Sequence, residues 1–273
     1  MFLSIIDFLR YLLLGLVQGI TEPLPISSSG HLIIFKNIFK VTMEDDINFN
    51  IIVNFASFIA IVIYYRKFLM EIISGAIKFV FKKQSEFKKD FLYILFVCIA
   101  TIPAGIAGVL LKDIIDDNLS TLLSVGICLF ITGLLLLFIQ KMSNKAFKEE
   151  ITLKTSIFMG LAQVIGLFPG ISRSGVTTSF GVLNKTSVEK ALRFSFMMYL
   201  PISIGSMILG VADLDLNNIY IPGYIVAFIT SLVGTYFALK IFFQLVKKDN
   251  LKYFGYYCLT ISTLILIYLA IIK

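Results

Sequence analysis

Charge is scarce in this chain: only 15% of its 273 residues are Asp, Glu, Lys or Arg, while 58% are hydrophobic and the mean hydropathy is +0.92. That balance excludes an ordinary water-soluble domain, in which about a quarter of the residues are charged. No stretches of alternating polar and apolar residues stand out, which argues against a membrane barrel and for helices. Histidine occurs once, at His31, and cysteine three times, at Cys98, Cys128 and Cys258, each inside an apolar run without ligand spacing. A cysteine metal site is thereby excluded, and the three read as small core residues. Walker loops, GxSxG elbows and HExxH helices are absent as well. The first apolar run lacks a small-residue cleavage site behind it, so it is expected to stay in the chain rather than be removed as a signal peptide.

What is present is a series of apolar runs, several of them reaching the roughly 20 residues that a helix needs to cross about 30 Å of hydrocarbon. Full spans are expected at about 48–66, 90–111, 119–140, 190–212, 219–246 and 251–272. The 26 Phe and 12 Tyr suit lipid contact and interfacial belts and need no cofactor. Two further runs are interrupted. Residues 3–20 lead into Gly15–His31, where Glu22, two prolines, three consecutive serines and His31 share ten residues, followed by a short apolar arm from Leu32 to Phe39. The second interruption is Phe168-Pro-Gly-Ile-Ser-Arg-Ser-Gly175, in a segment ending near Lys190. Each reads as a re-entrant hairpin that enters and leaves by one face.

The net charge of +7 belongs to clusters of Lys and Arg beside the spans, the footprint of membrane orientation rather than of nucleic-acid binding. Placing the N-terminus outside puts 18 of the 24 Lys and Arg on the cytoplasmic side. The basic, partly amphipathic 66–89 segment, the loop after Gln140 and Lys247, Lys248 and Lys252 then face inward. The connection 112–118 with Asp113, Asp116 and Asp117, and that with Asp213 and Asp215, face outward. Both termini are predicted outside.

Sliding the chain against itself by 145 residues aligns Gly15–Gly30 with Gly160–Gly175 without a gap, and 8 of 16 positions are identical. The predicted architecture is therefore a single all-α membrane domain over 1–273 built as an inverted-topology repeat. Repeat one covers about 3–140 and repeat two about 151–272, each a re-entrant hairpin plus three spans. Because three is odd, the second copy runs upside down, and the two broken loops meet near the midplane. Glu22, Ser27, Ser28 and His31 would then face Ser172, Arg173 and Ser174.

These residue types point to phosphate chemistry. An arginine at depth costs roughly 2.5 to 3.5 kcal/mol on insertion scales, and its planar fork matches phosphate oxygens. The bland alternative for Arg173 is an ion pair with Glu22. The serines and the glycines beside Arg173, Gly170 and Gly175, supply donors and let backbone N–H groups approach an anion. Gln18 and Glu22, four residues apart, share one helix face and are candidate ligands for a divalent cation. His31 is a candidate general acid or base, or a phosphoryl acceptor; the alternative is a satisfied polar group. Ser27 and Ser28 include a candidate nucleophile or only cap the second arm. Gln18 and Gln163 are candidate partners across the repeat, and Asn54 sits inside a span where it can face the site.

The segments Gln18-Gly-Ile-Thr-Glu-Pro-Leu-Pro-Ile-Ser-Ser-Ser-Gly-His31 and Pro169-Gly-Ile-Ser-Arg-Ser-Gly-Val-Thr177, at this separation, resemble the undecaprenyl-pyrophosphate phosphatases of the bacitracin-resistance type over essentially the whole chain. The resemblance implies a multi-pass enzyme of the bacterial plasma membrane with an outward-opening pocket. It would remove the terminal phosphate of undecaprenyl pyrophosphate and so recycle the lipid carrier of peptidoglycan and other envelope polymers. It also implies a divalent cation, Mg2+ or Ca2+. The family's (Glu/Gln)-x-x-x-Glu motif falls on Gln18 and Glu22, its serine–histidine segment on Ser27, Ser28 and His31, and its arginine loop on Pro169–Gly175. Thr177 and Asn54 would join Ser172, Ser174, Gly170, Gly175 and Gln163 at the substrate. Many relatives carry Glu where this chain has Gln18, which leaves Glu22 as the main carboxylate. Expected partners are the lipid diphosphate and membrane lipids, with a homodimer allowed and no nucleic acid. The competing readings are a lipid flippase or transporter, with or without phosphatase activity, and a lipid-binding scaffold.

Overall fold

The computed structural model describes residues 5–39, 46–143, 150–212, 220–247 and 250–272. They form an all-helical body: α1 (Ile5–Thr21), α2 (Ser28–Phe39), α3 (Asp46–Lys82), α4 (Lys88–Leu119), α5 (Leu122–Ser143), α6 (Leu153–Ile165), α7 (Arg173–Leu183), α8 (Val188–Ala212), α9 (Ile221–Lys247) and α10 (Leu251–Ile272). Six of these, α3, α4, α5, α8, α9 and α10, are long and apolar enough to cross a membrane, matching the six expected spans.

The short pairs α1/α2 and α6/α7 are the two interrupted segments, and local chemistry explains each break. Pro23 and Pro25 cannot donate backbone hydrogen bonds, so α1 stops at Thr21. Ser27 then takes a left-handed φ of 67° and its Oγ accepts from Gly30 N at 3.3 Å, capping α2. In the second segment Gly170 takes a φ of 97°, which favours glycine, and Ser172 caps α7 by accepting from Gly175 N at 3.0 Å. The same serine cap thus starts the helix after each break.

Lipid tails are as apolar as leucine, so close packing rather than the hydrophobic effect brings these helices together. Small residues make the close approaches. A Cβ added to Gly15 would lie 2.5 Å from Ala227 O, and one on Gly160 2.5 Å from Ala100 O, so α1 presses on α9 and α6 on α4. In the α5/α10 pair Gly133 and Gly255 approach each other's carbonyls, and Ser262 Oγ donates to Gly126 O at 2.6 Å. Phe194, Phe242, Leu129, Met159 and Leu192 fill the core between helices. Ile106 and Leu110 on α4, and Ile225, Ile229 and Phe237 on α9, are exposed, as suits a surface that lipid covers.

Three expectations change. The span placed at 48–66 is one 37-residue helix that runs on through the basic segment to Lys82, about 55 Å at 1.5 Å per residue. No proline interrupts 67–82, and lysines are good helix formers. The region 112–118 continues α4 as helix to Leu119 instead of forming a connection. Of the cysteines, Cys258 is buried and Cys128 half-buried, but Cys98 is exposed, because an apolar residue in a membrane helix need not face protein. Lys145, Lys148, Asp213, Asp215 and Lys248 lie outside the described residues.

Candidate active site

The two breaks touch. Gly170 N donates to Ser27 Oγ at 3.0 Å, and a Cβ on Gly30 would sit 3.0 Å from Gly170 Cα. Thr132 of α5 braces the second loop: its Oγ1 donates to Gly170 O at 3.0 Å and accepts from Ser172 N at 3.1 Å. Thr177 does likewise from within α7, donating to Arg173 O at 2.8 Å and sharing a 2.6 Å hydrogen bond with Ser195. The first turns of α2 and α7 consequently line one cavity of about 680 Å3. Two helix N-termini there present positive dipole ends, a setting that suits an anion.

At the meeting point stands Glu22, its side chain only 3% exposed. One carboxylate oxygen pairs with Arg173 Nη2 from the opposite loop, 151 residues away. The other accepts from Ser28 Oγ at 2.5 Å and from Gln18 Nε2 at 3.0 Å. Gln18 Nε2 also donates to Asn54 Oδ1 at 2.9 Å. The guanidinium of Arg173 lies 4.1 Å from the ring centre of Tyr199, and Tyr199 Oη donates to Asn54 O at 3.3 Å. A guanidinium carries five N–H donors and a stack on Tyr199 uses none of them, so those not given to Glu22 can meet a ligand.

Of the residues singled out in the sequence, Glu22, Ser27, Ser28, Asn54, Gln163, Ser172, Arg173 and Ser174 line the cavity. Gln18, Gly170, Gly175, Thr177 and His31 do not; they lie behind it as supports. The expected pairing of Gln18 with Gln163 does not form. Gln18 is committed to Glu22 and Asn54, whereas Gln163, 1% exposed, has neither its amide oxygen nor its nitrogen hydrogen-bonded. His31 hydrogen-bonds Ser27 O and Tyr257 rather than Ser28. Ser27 Oγ is occupied by the Gly30 and Gly170 N–H groups, while Ser28 Oγ faces Glu22. The ion pair weighed as the alternative for Arg173 is present, and it joins the two loops across the cavity wall.

Sequence reasoning missed Tyr199, Thr132 and Tyr257. Tyr199 carried the best signal, a phenol two residues before Pro201 in mid-span. Away from the polar floor the cavity continues as an apolar trough lined by Ile102, Gly105 and Val109 of α4 and Ile202, Gly205 and Leu209 of α8. Nothing lies within 4 Å of where a Cβ on Gly108 or Gly205 would be.

A polar, anion-attracting floor with an apolar trough, buried among membrane helices, matches what comparison with known proteins finds. The family model described as "Bacitracin resistance protein BacA" matches residues 11–264. An undecaprenyl-diphosphatase of Bacillus thuringiensis (strain Al Hakam) is 42% identical over 265 residues, covering 96% of this chain and 97% of that protein. One of Oceanobacillus iheyensis is 42% identical over 268 residues, covering 95% and 96%. One of Acholeplasma laidlawii is 41% identical over 270 residues, covering 94% and 96%. With end-to-end similarity of that order, the polar loops and the helices that carry them place the chain in the BacA family.

Proposed function

We propose that the chain is an undecaprenyl-diphosphatase, a membrane-embedded hydrolase that converts undecaprenyl pyrophosphate to undecaprenyl phosphate and inorganic phosphate. The observation that carries this reading is Glu22, bound on one oxygen by the Ser28 hydroxyl and on the other by Arg173. Such an arrangement supports reading Glu22 as a base, Ser28 as a nucleophile and Arg173 as a phosphate-binding cation in one cavity.

In this reading the diphosphate sits over the N-termini of α2 and α7, with Gln163, Asn54, Ser172 and Ser174 supplying polar contacts. The isoprenoid chain follows the trough between α4 and α8 into lipid. Ser28 Oγ attacks the terminal phosphorus while Glu22 takes its proton. The bridging P–O bond breaks, and undecaprenyl phosphate leaves carrying the proton that Glu22 returns. Water then attacks the phosphoserine; Glu22 takes the water proton and passes it to Ser28 Oγ as inorganic phosphate departs. Arg173 stabilises charge on the transferring phosphoryl oxygens.

The divalent cation that the family implies has one way to fit. No group of three or more His, Cys, Asp or Glu side chains converges among the described residues, so an ion here would take part of its shell from substrate phosphates, water, or amide and backbone oxygens. Mg2+ suits such a site, since it is commonly held by one or two carboxylates together with substrate phosphates and water. Glu22 would be its protein ligand; Gln18, expected as a second, turns its amide nitrogen toward Glu22 and Asn54 and so supports the carboxylate instead. Such an ion would neutralise charge on the diphosphate.

The two halves, about 3–140 and 151–272, are read as inverted copies. Gly15 on Ala227 and Gly160 on Ala100 are equivalent contacts under that relation, and the Ser27 and Ser172 caps are equivalent too. The basic clusters favour an orientation with both termini and the cavity mouth outside the plasma membrane. Phosphate release by the purified chain from dispersed undecaprenyl pyrophosphate tests the function. Release is expected with Mg2+ and is expected to stop with chelator; its absence when Mg2+ is supplied would overturn the reading.

A further inference from the structure

His31 is the only histidine of the chain, it is 3% exposed, and the reaction above does not use it. Its surroundings show what it holds. Nδ1 lies 2.8 Å from Ser27 O, and since a carbonyl can only accept, Nδ1 carries the proton. The same carbonyl accepts the His31 backbone N–H at 3.2 Å. Nε2 lies 2.8 Å from Tyr257 Oη of α10, and the two rings stack at 5.6 Å with an interplanar angle of 10°. In a neutral imidazole protonated at Nδ1, Nε2 accepts from the phenol. Both nitrogens are thus engaged away from the cavity, which His31 does not line.

The residue it grips is the strained one. Ser27 adopts a φ of 67°, and from that turn Ser27 Oγ receives Gly170 N of the other loop while Ser28 Oγ points at Glu22. A chain of contacts therefore runs from Tyr257 through His31 to the Ser27 carbonyl, and the next residue is the nucleophile of the proposed reaction. We propose that His31 is a positioning residue: its Nδ1–H, in the tautomer that the Ser27 carbonyl selects and with the ring held by Tyr257, fixes the Ser27 turn and so aims Ser28 at Glu22. The catalytic part of this inference rests on the phosphatase reading; the tautomer part does not.

The lone histidine makes the test clean. In the full chain labelled with 15N-histidine, a single neutral Nδ1–H imidazole is expected. Tyr257→Phe should shift its Nε2 resonance, and Ser28→Ala should leave both ring nitrogens unmoved. An Nε2–H tautomer, an imidazolium, or an Nε2 signal that responds to Ser28→Ala would overturn the proposal. Activity gives a second arm, because an asparagine amide occupies the place of Nδ1 and a glutamine amide that of Nε2. His31→Asn is expected to hold kcat within about 10-fold of native, whereas His31→Gln loses about 100-fold, the scale of a misaimed nucleophile. Equal losses of more than about 100-fold in both variants, as removal of a general base or phosphoryl acceptor would give, overturn positioning and leave the phosphatase reading standing. A native chain that releases no phosphate overturns that reading instead, and the resonances still decide the tautomer.

Discussion

Glu22 belongs to two loops at once, since its carboxylate takes Ser28 from its own side and Arg173 from the other. Removing either partner of a buried pair leaves the other charge uncompensated, so variants here separate chemistry from folding only if shape is kept. Arg173→Lys keeps the charge but loses the planar fork and the stack on Tyr199, and is expected to lower turnover by at least about 100-fold. The nucleophile is checked by acid quench during turnover followed by mass spectrometry of the chain. Phosphoserine at Ser28 is expected and is absent in Ser28→Ala; a phosphoryl group on His31 would refute the assignment. Much of this site was legible as charge and hydroxyls packed into an apolar chain, which is why Glu22, Ser28 and Arg173 stand out in the sequence. Tyr199 and Tyr257 did not, because a tyrosine in a membrane helix is ordinarily an interfacial anchor. Only the fold reveals that one lies under the guanidinium and the other against the imidazole.

At the scale of elements, the breaks matter more than the helices. Gly170 is the most constrained glycine of the two breaks: its φ of 97° disfavours any side chain, and an added Cβ would meet Cys128 Cβ at 2.6 Å and Val125 O at 2.7 Å. Gly170→Ala is therefore expected to lower the thermal unfolding midpoint and to cut phosphate release, as the Ser27–Gly170 contact opens; an unchanged midpoint and rate would contradict the account. Gly15→Leu tests the α1/α9 crossing away from the site. Its side chain would have to displace the Ala227 backbone, and a loss of stability of about 1 to 3 kcal/mol is expected from such overpacking. The hairpins were readable because proline, glycine and serine mark a break by mechanism. The full extent of α3 was not, because Arg66, Lys67 and Lys78 mark the cytoplasmic end of a span by charge yet keep helix propensity. Asp113 and Asp116 misled in the same way within α4.

For the whole molecule, the aligned Gly15–Gly30 and Gly160–Gly175 segments led to the expectation that the two loops meet, and Arg173 does reach Glu22 across 151 residues. Sequence could supply that because the breaks are where identity between the halves concentrates. It could not supply the braces from α5, α8 and α10, which contact the loops through single side chains such as Thr132, Tyr199 and Tyr257. The central claim is that a carboxylate from one loop and a guanidinium from the other make one hydrolytic site for a lipid diphosphate. It is tested most directly by the initial rate of phosphate release from undecaprenyl pyrophosphate by native chain and by Glu22→Gln, which preserves shape while removing the base. The account predicts a fall of at least about 100-fold in Glu22→Gln, within the range that a general base contributes. A rate within twofold of native, about 0.4 kcal/mol in barrier, would contradict it.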